Sequence, residues 1–355
     1  MKIGLITPNN LWFCPYVSIY TKILDRLNIN YDIISWNRDG REKLPLQYNK
    51  PLKTHNRIYV LYAYMRYATH VKQILKKNSY DRLIVFTPQI GIFLATYLRS
   101  AYKNKYIFDY RDLSIEQSVC FKLFFNILLH NSFCNCISSP GFKKYLPSQF
   151  NYILSHNFDV KQAQQTIATP NTNYSDKSTT INILTIGGIR DYESNTEIIQ
   201  ALANNPKFQL SFVGKGPSAA ALEDYVIENG IKNVNFEGYY KKEEEAEYIA
   251  KCTYLNIYYP RKPSHDSAIS NRFYNSLIHK RPMIVTANTT QGDFVAKYNL
   301  GIVVENCESL EQQIYDYDKN NNLNEYIEQC NNLLKLFIED YNIFESKVIT
   351  FIDNK

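Results

Sequence analysis

Three short segments carry residue types suited to holding a diphosphate. Ile183-Leu184-Thr185-Ile186-Gly187-Gly188-Ile189-Arg190 and Leu210-Ser211-Phe212-Val213-Gly214-Lys215-Gly216-Pro217 each read as an apolar strand running into a glycine turn with a cation. A polar cluster, Asn271-Arg272-Phe273-Tyr274-Asn275, follows at domain-scale spacing, shortly before Arg281-Pro282. Glycine lets backbone N–H groups approach anionic oxygens, and a helix start adds partial positive charge. Arg190 brings a guanidinium that can grip two phosphate oxygens at once, and Lys215 brings an ammonium. Pro217 fits the first position of a helix, and Ser194 or Asn195 is the expected cap of the helix after Arg190. The next strand ends in Phe236-Glu237-Gly238-Tyr239-Tyr240, where aromatic rings suit a flat base.

Such turns need βα units to position them, and apolar runs alternate with amphipathic stretches throughout the chain. In the first half, strands are expected at 2–7, 31–35, 82–87, 105–110, 133–138 and 151–155, with helices at 16–27, 58–77, 89–101, 115–130 and 140–146. In the second, strands are expected at 182–187, 208–213, 233–237, 254–258, 282–286 and 301–304, with helices near 194–204, 217–229, 243–251, 267–279 and 292–298. Beyond about residue 307 the pattern is helical, interrupted at Lys319-Asn320-Asn321-Asn322. The polar, turn-rich stretch from Ala168 to Thr180 reads as a linker. The expected architecture is two Rossmann-like, doubly wound α/β domains facing a cleft, 1–165 and 181–335, joined by a linker at 166–180. A terminal helix at 336–355 is expected to pack back on the first domain.

The 355 residues suffice for two such domains, and 45% apolar content suits a globular protein. No apolar run approaches the ~20 residues needed to cross a bilayer, and the N-terminus reads as a strand, so the cytoplasm is the expected compartment. The seven cysteines are scattered and mostly set among apolar neighbours, which suits buried reduced thiols. Cys134-Asn135-Cys136 lacks the second His/Cys pair that a zinc site needs. The net charge of +6 conceals an asymmetry: residues 1–155 hold 21 Lys and Arg against 8 Asp and Glu, while the remainder hold 19 against 26. A basic first half suits an anionic partner such as a phospholipid face or a pyrophosphate-linked molecule, or is simply a solvated surface. Nucleic acid is not expected, because no recognisable reading motif accompanies the charge.

The turn after the first strand, Thr7-Pro8-Asn9-Asn10-Leu11-Trp12, contains no glycine. The dinucleotide fingerprint is therefore absent where a dehydrogenase needs it.

In the order strand-Gly-Gly, Val-Gly-x-Gly, Asn-Phe-x-Gly and Asn-Arg-Phe-Tyr followed after seven intervening residues by Pro, the chain resembles GT-B glycosyltransferases. It is most similar to the family 4 type of bacterial surface and capsule polysaccharide synthesis. The resemblance is strongest over 182–304. In the first half, Phe108-Asp109-Tyr110-Arg111-Asp112-Leu113 resembles an Asp-x-Arg-Asp-Leu segment, Ser138 to Gly141 a strand-end serine turn, and His156-Asn157 the asparagine before the linker. The family carries two glutamates separated by seven residues on the helix facing the donor. Here those positions read Ser267 and Asn275, with Arg272 for the usual lysine and Lys280 for the usual glycine.

The resemblance implies transfer of a sugar from a nucleotide diphosphate sugar to a glycan hydroxyl, with retention of anomeric configuration. That glycan is expected to be undecaprenyl-diphosphate-linked at an anionic membrane face, with Phe121, Phe124, Phe125, Leu128, Leu129 and the stretch from Arg57 to Arg66 either resting on lipid or forming core. The expected donor contacts are Gly187, Gly188, Arg190, Gly214, Lys215, Gly216, Tyr239, Asp266, Ser267, Asn271, Arg272 and Asn275. Asp266 either supplies a displaced carboxylate or caps a helix. Expected catalytic groups are Arg190, Lys215, Asp112 and His265, and expected acceptor contacts are Asn9, Asn10, Arg111 and Asp112. Fixed cations are expected to stabilise the leaving diphosphate, so no metal and no cofactor beyond the co-substrate is expected. Two readings compete: a sugar-nucleotide epimerase on the same fold, and a non-catalytic nucleotide-sugar-binding subunit.

Overall fold

The computed structural model describes residues 1–54, 56–169 and 180–354. The expected linker falls largely on 170–179, outside the described residues. The chain divides into two compact units, Met1–Asn157 with Asp340–Lys355, and Phe158–Glu339.

The first unit contains β1 (Lys2–Ile6), α1 (Val17–Arg26), β2 (Asn30–Trp36), β3 (Gln47–Tyr48), α2 (Arg57–Asn78), β4 (Arg82–Phe86), α3 (Pro88–Ala101), β5 (Tyr106–Tyr110), α4 (Val119–Asn131), β6 (Cys134–Ile137) and β7 (Tyr152–Leu154). Its strands form a parallel sheet in the order β3-β2-β1-β4-β5-β6-β7. The central strands β4 and β5 are buried along their whole length, which explains why, apart from Arg82 and Asp109, they read as apolar rather than alternating.

The second unit contains α5 (Val160–Ala168), β8 (Ile181–Ile186), α6 (Tyr192–Leu202), β9 (Phe208–Val213), α7 (Ala219–Glu228), β10 (Val234–Gly238), α8 (Glu245–Lys251), β11 (Tyr254–Ile257), α9 (Pro263–Ser267), α10 (Asn271–His279), β12 (Met283–Thr286), α11 (Thr290–Tyr298), β13 (Gly301–Val304) and α12 (Leu310–Asn320). Its parallel sheet runs β10-β9-β8-β11-β12-β13. Helix α13 (Leu323–Asp353) begins in this unit, and its last turns belong to the first.

Several expected boundaries move. The two-residue strand β3 carries no sequence signal. The stretch expected as one helix over 267–279 is two, α9 and α10, because Ser270 caps a new helix by accepting from the Phe273 N–H. The cap of α6 is Asp191 rather than Ser194 or Asn195, which lie inside the helix and are buried. Helix α7 begins at Ala219, after Ser218, not at Pro217. The unit boundary falls at Asn157/Phe158 rather than near 165, because Phe158 stacks on Tyr274 and Ala163 is buried among Phe273, Leu277 and Phe337 of the second core. Phe344, Val348, Phe351 and Ile352 of α13 complete the core of the first unit around Ile3, Leu5, Tyr20 and Phe86.

All seven cysteines are free. Burial pushes the Cys14 thiol up to about 11 and the Cys252 thiol up to about 12, which keeps both protonated and inert. Among the described residues no helix is long and apolar enough to cross a membrane, and no His/Cys/Asp/Glu group could hold a metal ion. An Asp-x-Asp sequence, Asp316-Tyr317-Asp318, lies within α12, where side chains two apart do not face each other. Asp318 accepts instead from the Tyr254 hydroxyl.

Candidate functional site

In both sheets the strand order reverses direction once, between β1 and β4 in the first unit and between β8 and β11 in the second. Ligands of open α/β sheets bind beyond the carboxyl ends of the strands at such a switch point. The second unit has a cavity of 390 Å³ at this place, lined by Gly187, Gly188 and Arg190 after β8, Tyr240 after β10 and Tyr259 after β11. His265, Ser270, Asn271, Arg272, Asn275 and Gln291 complete its wall, with Asp191, Lys242 and Glu245.

Helix α10 shows how the sequence builds that wall. Phe273, Tyr274, Leu277 and Ile278 are buried on one face, and Asn271, Arg272 and Asn275 are turned to the cavity on the other. From there Arg272 reaches across the switch point. Its Nε donates to the Ile186 carbonyl at 2.5 Å, Nη1 to the Asn256 carbonyl at 3.1 Å and Nη2 to the Gly188 carbonyl at 3.3 Å, with the guanidinium over the Tyr259 ring. Three of the five guanidinium donors are thereby engaged, leaving two for a ligand. Beneath the turn, the buried Asn256 donates to Thr185 Oγ1 at 2.8 Å and to Asn195 Oδ1 at 3.3 Å, tying β11 to β8 and α6.

The two glycine turns interlock. Gly187 N–H donates to the Val213 carbonyl at 2.8 Å and Ile189 N–H to the Lys215 carbonyl at 3.2 Å. A Cβ on Gly214 would lie 2.0 Å from the Gly187 carbonyl oxygen, and one on Gly216 would lie 2.0 Å from that of Ile189. Gly214 and Gly216 are therefore required for backbone crossing, and they do not line the cavity, contrary to the donor contacts expected of them. Lys215 is exposed outside the cavity wall. Gly187 shares with Gly214 a positive φ, +99° against +132°, but a Cβ on it would meet only the Tyr240 hydroxyl at an ordinary 3.9 Å.

Arg190 is exposed and lies back over Gly188, its Nε 3.1 Å from where a Gly188 Cβ would stand. His265 Nδ1 lies 3.1 Å from the Pro260 carbonyl, which requires the proton on Nδ1 and leaves Nε2 as an acceptor. Asp266 forms a two-point ion pair with Arg261, at 2.9 and 3.2 Å, and neither it nor the fully buried Ser267 lines the cavity. Tyr239 is 73% exposed and outside the cavity, whereas Tyr240, its neighbour, lines it. Burial, reinforced by Glu245, pushes the Tyr240 hydroxyl up, so it stays a hydrogen-bond donor. No sequence signal marks Glu245, Lys242 or Gln291 as part of this wall. Of the expected residues, Gly187, Gly188, Arg190, His265, Asn271, Arg272 and Asn275 do line the cavity.

In the first unit the expected acceptor residues are mostly engaged internally. Asn10 is fully buried, donating to Asn37 Oδ1 and accepting from the Arg38 and Asp39 N–H groups. Its own N–H donates to the Asn9 side chain. Arg111 is buried, paired with Asp109 and donating to the Ser155 carbonyl at 2.9 Å, with Tyr16 against its guanidinium face. Burial pushes the Asp109 carboxyl up, against the pull of Arg111 and of the Tyr20 hydroxyl that donates to it at 2.6 Å. Asn10 thus organises the strand ends, and Arg111 does so through its two terminal nitrogens while its buried Nε has no partner among the described residues. Asp112 is exposed, and its side chain accepts from the Leu113 N–H.

No family model matches the chain, and no curated protein matches it. Among solved structures, the chain is similar to sucrose-phosphate synthase from Thermosynechococcus elongatus, with a TM-score of 0.72 and 15% identity over 99% of both chains. A glycosyltransferase from Rickettsia africae aligns at TM-score 0.69 and 14% identity, covering 100% of this chain and 99% of that one. The Anabaena protein HepE, solved with UDP, aligns over 100% of both chains at TM-score 0.64 and 12% identity. The two-sheet architecture of this chain is the GT-B fold of these glycosyltransferases.

Proposed function

We propose that the chain is a glycosyltransferase that takes a nucleotide diphosphate sugar into the switch-point cavity of the second unit and transfers the sugar to a hydroxyl of a glycan. The observation that carries this reading is the convergence of Arg190, Arg272 and His265 on one cavity at the carboxyl ends of β8 and β11. Breaking the glycosidic bond builds charge on the leaving diphosphate, which fixed cations stabilise without reorganisation. Arg190 and the two uncommitted donors of Arg272 meet the diphosphate, Lys215 adds longer-range charge from the neighbouring turn, and His265 Nε2 accepts from a sugar hydroxyl. HepE has been solved with UDP and with UDP-glucose, which supports a nucleotide-sugar donor here. The reaction proceeds with retention and with no metal or further cofactor.

The acceptor falls to the first unit, whose residues 1–155 are strongly basic, with Asn9 and Asp112 as contacts. The proposed acceptor is a lipid-diphosphate-linked glycan of bacterial surface polysaccharide, met at the cytoplasmic membrane face. Phe125, Leu128 and Leu129 are core, so lipid contact falls instead to the exposed Ile58, Tyr62 and Met65 of α2 and Val119, Leu123 and Phe124 of α4. Helix α2 also carries Arg57, Arg66, Lys72, Lys76 and Lys77, and no acidic residue.

Thermal-shift measurement with UDP-, GDP- and CMP-sugars tests the donor reading, since a ligand of the native state raises the melting temperature. A shift with one nucleotide class, followed by product formation with a glycan acceptor, is expected. Conversion of the donor without an acceptor would favour an epimerase, and binding without turnover a non-catalytic subunit.

A further inference from the structure

Neither of the two positions where the resemblance expects a glutamate supplies a carboxylate to the cavity, because Asn275 lines it as an amide and Ser267 is buried outside the wall. The structure holds a carboxylate on the same cavity from a different helix. Glu245 opens α8, which packs against α10, and its side chain is only 14% exposed. Its Oε1 accepts from the Tyr240 hydroxyl at 3.0 Å, and its Oε2 pairs with Lys242.

We propose that Glu245 is the residue that holds the ribose hydroxyls of the nucleotide, in place of a carboxylate at position 275. This rests on the nucleotide-site reading above. A carboxylate offers about four acceptor positions, and Tyr240 and Lys242 occupy two, leaving two for a vicinal diol. Lys242 offsets the negative charge that would otherwise repel the diphosphate. The Tyr240 hydroxyl stands 3.9 Å from where a Gly187 Cβ would be, so Glu245 is one hydrogen bond removed from the glycine turn. Diol and diphosphate of one nucleotide can therefore be met together. The other acid on the wall, Asp191, is less suited, because it caps α6, the end at which an anionic phosphate is favoured.

Calorimetric titration of the whole chain with UDP, GDP, ADP and CDP, and with their 2′-deoxy counterparts, decides the matter. Wild type is expected to prefer the ribonucleotide by about tenfold or more, as sites built around a hydroxyl do. Glu245→Gln, and independently Glu245→Asp, should lose most of that preference while still binding the diphosphate, and Tyr240→Phe should retain it. A wild type that binds both sugars equally, or a folded Glu245→Gln protein with its preference intact, overturns the role of Glu245 and leaves the nucleotide site standing. Failure of every ribonucleoside diphosphate to bind wild type overturns the site reading itself, and this inference with it.

Discussion

Arg272 donates from Nε to the carbonyl of Ile186, a residue 86 positions earlier and the last of β8. With its contacts to Asn256 and Gly188, one side chain closes the gap at which the strand order reverses. The same guanidinium that lines the cavity thus holds the floor beneath it. Arg272→Lys retains the charge but cannot reach three carbonyls in one plane. We expect a loss of about 2–4 kcal/mol in urea denaturation, since hydrogen bonds from a charged group are each worth roughly 1.5–3 kcal/mol. Unchanged stability would assign Arg272 to the ligand alone.

Arg190 is the contrasting case. Its side chain is exposed, so Arg190→Ala should leave the melting temperature within about 1 °C while slowing turnover roughly 10²- to 10³-fold, as loss of one preorganised charge stabiliser does. Near wild-type turnover would remove it from the mechanism.

Both turns carry a positive-φ glycine, and only Gly214 adds a steric need. Gly187→Ala meets open space and suffers only the unfavourable φ, about 1–3 kcal/mol. Gly214→Ala drives a methyl into the Gly187 carbonyl and should either fail to yield folded protein or lose distinctly more. Equal losses in a denaturant titration would contradict the crossing described here.

The buried pair in the first unit predicts a similar asymmetry. Asp109→Asn strands the Arg111 guanidinium without its counter-charge and should cost about 3–5 kcal/mol. Replacing both, as Asp109→Asn with Arg111→Met, should recover part of that loss, and a double variant worse than the sum of its parts would refute the pairing.

Stability should also fall in mild acid. Burial depresses the imidazoles of His70, His156 and His279, although Asp340 pulls His156 the other way. In the unfolded chain each titrates at about 6.5. The unfolded state therefore binds more protons, so this contribution is fully present above pH ~6.5 and is lost as pH falls through the depressed native values. Urea midpoints compared at pH 7.5 and 5.5 should drop, and His279→Gln should flatten the slope.

Much of the fold was legible because parallel strands buried on both faces leave mainly apolar, non-alternating runs, as in Leu83 to Phe86 and Tyr106 to Phe108. The glycine turns and the Asn271–Asn275 cluster likewise identified one wall of the cavity. What the sequence could not separate was a glycine on the cavity wall from one needed for backbone crossing, because Gly187 and Gly214 look alike until the turns interlock. Nor could it tell Tyr239 from Tyr240, since adjacent residues at a strand end take opposite sides. Arg111 read as a contact because its ionic partner, Asp109, is buried with it. Glu245 stood among several acids in Glu243-Glu244-Glu245 and Glu247, and only the fold singles it out.

The first unit owns Asp340–Lys355, and its core includes Phe344, Val348, Phe351 and Ile352. During synthesis that core cannot close when residue 157 leaves the ribosome. At about 5–20 residues per second, its apolar floor waits on the order of 10–40 s for the helix that seals it. In that interval the nascent chain exposes a surface that chaperones would recognise, and the second unit has the earlier opportunity to mature.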